Sequence, residues 1–131
     1  MEIPHIRTYK KVRNLMKTAK VFAWLGLIAM TVVLLNGFIN GNFSRDGAEL
    51  LANPWGIVSI VDLYVGFALF SLWIAFREKN FVRVLVWIIL MMVLGFFTAS
   101  VYILIALQKS KGDWLTFFLG DRKTELLHKA E

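Results

Sequence analysis

A lone carboxylate, Asp62, stands in a run from Trp55 to Phe76 that carries no other charge. An acid in hydrocarbon costs about 2.5–3.5 kcal/mol on insertion scales, so it marks the first place to look for function. Three roles suit it: a hydrogen-bonded cross-link between helices, a proton, ion or polar-ligand site, or a contact to another subunit. A conduit needs polar positions through the full depth of the membrane, and the apolar runs supply almost none beyond Asp62. Other chemistry lacks its parts. The two histidines, His5 and His128, fall in opposite tails and cysteine is absent. Histidine-ligated haem, thiolate metal sites and disulfides are therefore not expected. No phosphate-binding glycine loop or Ser–His–Asp set is visible. The expectation is a non-enzymatic protein with no cofactor and no metal.

The elements that must position Asp62 are apolar helices. Hydrophobic residues make up 58% of the 131 residues and charged residues 18%, a balance suited to a bundle facing lipid. The expected fold is an all-α integral membrane protein in one domain. A basic amphipathic tail occupies 1–20, followed by a first span (21–39) and an outer loop (40–54). A second span (55–76) and a third (84–107) follow, then an interfacial, polar tail (108–131). Runs of this length cross as helices, because a lone strand would leave its backbone polar groups unsatisfied in lipid. Within the loop, Ser44 is the expected cap of a short helix from Asp46 to Ala52, and Asn53-Pro54 opens the second span. In the C-terminal tail, Glu125 and Lys129 have the spacing of an i,i+4 ion pair.

Basic residues orient the spans. Arg7, Lys10, Lys11, Arg13, Lys17 and Lys20 precede the first, and Arg77, Lys79 and Arg83 join the second to the third; Glu2 and Glu78 are the only acids among them. With three spans these segments share one side, and the remaining loop and C-terminal tail balance to neutrality on the other. The positive-inside rule then places the N-terminus in the cytoplasm and the C-terminus outside, in a bacterial inner membrane. Lys109 and Lys111 run against this layout, since they follow the third span directly. The basic tail with Arg77, Lys79 and Arg83 forms the expected surface for lipid headgroups or an acidic partner. No RNA-binding or zinc-finger pattern accompanies the charge, so nucleic acid is not an expected partner.

Depth matching supplies neighbours for Asp62. It lies about 10 Å below the outer end of its helix. Ser100 and Tyr102 match that depth on an antiparallel third span, and Asn36 on the first. Ser59 shares the Asp62 face. The expectation is a polar cluster of Asp62, Ser59, Ser100, Tyr102 and Asn36 that locks a helical hairpin, with Gly66 and Gly95 allowing close approach.

The stretch Val61-Asp62-Leu63-Tyr64, followed by Ser71-x-Trp73, Arg77-Glu78, Trp87, Gly95, Thr98 and Tyr102, resembles a domain-of-unknown-function family of small bacterial and plant integral membrane proteins. The resemblance spans about 53–119. It implies a membrane hairpin and gives weight to Asp62, but it carries no activity. The expected function is a small accessory or assembly subunit of a larger membrane complex, bound to lipid and to other subunits or to copies of itself. The alternative is an oligomeric transporter, or a lipid- or small-molecule-binding protein, using Asp62.

Overall fold

The computed structural model describes residues 3–130, and every regular element among them is helical. Glu2 and Glu131, both counted in the charge balance, lie outside the described residues. The helices are α1 (Pro4–Asn40), α2 (Phe43–Ala52), α3 (Pro54–Arg77), α4 (Phe81–Leu94), α5 (Phe96–Ser110), α6 (Trp114–Leu119) and α7 (Lys123–Ala130), with a 3-10 turn at Gly120–Arg122. Of these, α1 and α3 are long and apolar enough to cross a membrane.

The basic tail is not a separate helix. With no glycine or proline between His5 and Leu25, nothing interrupts the backbone, and α1 continues for 37 residues, about 55 Å. The loop helix α2 starts earlier than expected. Its cap is Asn42, whose Oδ1 accepts the Arg45 N–H at 3.1 Å, rather than Ser44. Asn53 caps α3 as its Asn-Pro pair implies, accepting the Trp55 N–H at 2.9 Å. Asn80 does the same for α4, accepting from Val82 at 3.0 Å.

The third apolar run departs most from expectation. Instead of one helix over 84–107, the chain stops at Gly95, whose φ of 64° and ψ of −139° suit a residue without a Cβ. It then turns back. The Thr98 hydroxyl donates to the Leu90 carbonyl at 2.9 Å, and the Trp87 and Tyr102 rings meet at 5.0 Å between centroids. In a continuous helix those two residues would stand about 22 Å apart. The segment is therefore an antiparallel hairpin of two short helices, α4 and α5, each about 21–22 Å long. Hydropathy registers an unbroken apolar stretch and is blind to the reversal inside it.

Helix α5 is the centre of the packing. It runs antiparallel to α1, with Ser100 at Gly26, Ser110 at Met16 and the Trp114 indole N–H donating to the Val12 carbonyl at 3.0 Å. One face joins Leu104 and Leu107 to Met16, Ala23 and Phe117. The other joins Ala99 and Tyr102 to Phe67, Ile74 and Met91 from α3 and α4. The chain beyond α5 then settles on the Arg77 end of α3. The Trp73 indole donates to the Phe118 carbonyl at 3.2 Å, Arg122 Nε to the Phe76 carbonyl at 2.6 Å, and Lys79 faces Glu125 at 3.6 Å. Glu125 thus pairs with Lys79 and with Arg122, at 3.7 Å, instead of Lys129.

Gly95→Ala tests the reversal. A Cβ there meets the Phe67 ring at 3.1 Å and must adopt a positive φ, a strain of about 1–3 kcal/mol. Thermal unfolding in mild detergent, followed by circular dichroism, should show a lower Tm for this variant. Unchanged stability would remove the Gly95 turn as a structural requirement.

Candidate functional site

The base of the α4–α5 hairpin, where it meets the end of α3, holds the most developed polar arrangement. Arg77 is the last residue of α3 and only 7% exposed. Its guanidinium carbon lies 5.2 Å from the centroids of both the Trp73 and Tyr102 rings, where the negative faces of the rings attract a cation. Trp73 stands one helical turn before Arg77, so α3 itself brings these two together. Tyr102 arrives from α5 because of the reversal at Gly95.

The polar contacts form a chain. Arg77 Nη1 donates to the Tyr102 hydroxyl at 2.7 Å, and that hydroxyl donates to Glu78 Oε1 at 3.1 Å. The other Glu78 oxygen lies 3.8 Å from Arg83 Nη1. Tyr102 is wedged edge-on among Phe70, Trp73 and Trp87, which fixes the hydroxyl between its two charged partners. Among the described residues, two buried donors on α3 lack a hydrogen-bond partner, the Ser71 hydroxyl and Arg77 Nε. Arg77 also lines a cavity of about 290 Å³, together with Glu78, Arg83, Trp87, Tyr102, Ile105, Ala106, Lys109, Gly120 and Asp121. Gly120, at φ 56°, closes over Arg77 so nearly that a Cβ would fall 3.1 Å from Nε.

A family model described as a protein of unknown function (DUF1475) matches residues 8–122. The chain belongs to the DUF1475 family. No curated protein and no solved structure matches it. The DUF1475 match extends the resemblance seen over 53–119 to include most of α1, the 3-10 turn and every residue lining the Arg77 cavity.

The expected Asp62 cluster does not assemble. Asp62 is exposed on the N-terminal half of α3, with no hydrogen bond or ion pair among the described residues. Ser59 donates to the Trp55 carbonyl, Ser100 to the Phe96 carbonyl, and Asn36 accepts from Asn40. Tyr102 is bound to Arg77, fifteen residues and about 22 Å of helix from Asp62. The cause is direction: α5 descends where a continuous span would ascend, which carries Tyr102 towards the other end of α3. Gly66 and Gly95 do lie at close approaches, against the rings of Phe96 and Phe67. On the expected basic surface, Arg7, Lys10, Lys11, Arg13, Lys17, Lys79 and Arg83 are exposed, whereas Arg77 is buried. The signal for Arg77 was present in its spacing from Trp73, but its partner lay beyond a turn that hydropathy conceals.

A second polar knot ties down the segment beneath the cavity. Asp113 caps α6, accepting the Leu115 N–H at 3.1 Å, the Thr116 hydroxyl at 2.6 Å and the Lys123 ammonium. The Lys123 hydrogen bond, followed by that of Thr116, pulls the Asp113 carboxyl from 3.8 down to about 2. A depressed folded pKa stabilises the native state above the ordinary value, and this contribution is lost as pH falls through about 2. Wild-type protein should therefore lose thermal stability between about pH 4 and pH 2 by more than Asp113→Asn does. Parallel pH profiles for the two proteins would exclude Asp113 as an acid-sensitive tie.

Proposed function

We propose that this is an integral membrane protein with two spans, α1 and α3, and a hairpin, α4–α5, that enters from one face and returns to it. The apolar side chains around α1, α3 and α4 support this: Phe38, Leu69 and Val93 are 73%, 63% and 71% exposed, as lipid-facing residues would be. Charge supports it too. With the hairpin re-entrant, all fifteen Lys and Arg except Arg45 gather on one side, while Asp46 and Glu49 remain on the other. Lys109 and Lys111 then obey the positive-inside rule, which puts both termini in the cytoplasm of a bacterial inner membrane. The absence of native cysteine makes single-cysteine labelling direct. Cysteines replacing Lys11, Lys79 and Lys129 should react from the cytoplasmic side, and one replacing Ser44 from outside. Labelling of position 129 from outside would reinstate three full spans.

In that setting the protein acts as a non-catalytic binding protein for a small ligand that carries an anionic group. The observation that carries this reading is the buried Arg77, which lines the cavity and whose Nε lacks a partner among the described residues. An unmatched buried donor on a charged group is costly, and an anionic oxygen is its natural complement. Native mass spectrometry of protein purified in mild detergent should find a ligand on the wild type that Arg77→Gln loses with its helical content intact. Equal retention by the two proteins would refute the reading.

A second reading rests on Asp62. An exposed acid with no partner among the described residues, on the outer half of α3, suits an accessory subunit whose carboxyl meets a polar group of a neighbouring membrane protein. Asp62→Asn should then release a copurifying subunit while leaving ligand retention unchanged.

A further inference from the structure

We propose that the ligand of the Arg77 cavity is a phospholipid headgroup bearing both a phosphate and a primary ammonium, of the phosphoethanolamine type. The inference rests on the anion-binding reading above and specifies its chemistry.

The charges lining the cavity are not of one sign. Glu78 is already engaged, by the Tyr102 hydroxyl and by Arg83. Arg77 keeps its Nε unpartnered, and Lys109 and Asp121 line the same space with no hydrogen bond or ion pair among the described residues. The uncommitted groups are thus a buried guanidinium donor, an ammonium and a carboxylate. A simple anion would satisfy the first two and be repelled by the third. A zwitterion with a phosphate for Arg77 and Lys109 and an N–H donor for Asp121 satisfies all three. A quaternary ammonium offers Asp121 no hydrogen bond, so a choline headgroup is the poorer fit.

Size and setting favour a lipid over a soluble phosphate. The cavity, about 290 Å³, is at the small end for ligand sites and suits a headgroup whose chains stay outside. Its wall combines Trp87, Ile105 and Ala106 with the charged residues, the mixture expected at a membrane–water boundary. The exposed apolar face of α4, with Val82, Val86 and Ile89, continues from the Arg83–Trp87 wall and provides a track for an acyl chain. Gly120 completes the site. The Cβ of any other residue there would lie 3.0 Å from the Arg77 Cβ and carbonyl and 3.1 Å from Nε, in the space beside the free donor.

The test adds defined lipids to delipidated full-length protein in non-ionic detergent and reads bound lipid by native mass spectrometry. The probes are dioleoyl phosphatidylethanolamine, phosphatidylglycerol and phosphatidylcholine, with glycerophosphoethanolamine and inorganic phosphate as soluble competitors. Wild type should prefer the ethanolamine lipid by about fivefold or more, the worth of one charge-assisted hydrogen bond at a partly open site. Asp121→Asn, a change at the cavity rim, should abolish that preference while retaining binding. Lys109→Gln should weaken the ethanolamine and glycerol lipids alike. If phosphatidylglycerol wins and Asp121→Asn changes nothing, the headgroup assignment falls while the anion site stands. If inorganic phosphate or glycerophosphoethanolamine displaces the lipid at millimolar concentration, the lipid source is overturned. If neither Lys109→Gln nor Arg77→Gln alters any binding, the headgroup assignment and the anion-binding reading fail together.

Discussion

The turn at Gly95 is the constraint on which the remaining contacts depend. Because the backbone there takes a positive φ, α5 runs back along α4 and slots between α1 on one side and α3 with α4 on the other. Without the reversal, Tyr102 would lie a full helix length from Arg77, Ser110 would not reach Met16, and Trp114 would not cap its packing on Val12. Two short helices replace a long one, and α5 becomes the helix that every larger element touches.

That arrangement brings a charge out of water at the end of α3. A buried guanidinium is tolerated only where its charge is balanced and its donors are matched. Here the Trp73 and Tyr102 rings face it, and Glu78 is linked to it through one hydroxyl. The balance is incomplete at Nε. Arg77 thus combines a buried donor that lacks a partner among the described residues with a place in the lining of a cavity.

Asp62 presents the opposite case. It is the more conspicuous residue in the sequence, yet it is exposed and makes no hydrogen bond or ion pair among the described residues. Its standing as an acid in an apolar run is a property of its neighbours along α3 alone. Whether such a group forms a cluster depends on which residues other helices present at its level, and α4 turns back at Gly95 before that level is reached.

The all-helical character of the chain, the extent of α3 and its Asn53 cap were legible in the sequence, because length, hydropathy and cap chemistry act over a few residues. Gly66 and Gly95 were also legible as points of close approach. What the sequence could not express was direction. Gly95 reads equally well as a packing notch in a straight helix or as the pivot of a hairpin, since both uses require only a missing Cβ. The tertiary structure decides for the pivot, through the contacts that α5 makes on both sides. With that decision Arg77 moves from the expected basic surface to the interior, Tyr102 moves from Asp62 to Arg77, and the C-terminal segment joins the Arg77 end of α3. Local chemistry determined which residues are helical and which are polar; only long-range packing determined which of them meet.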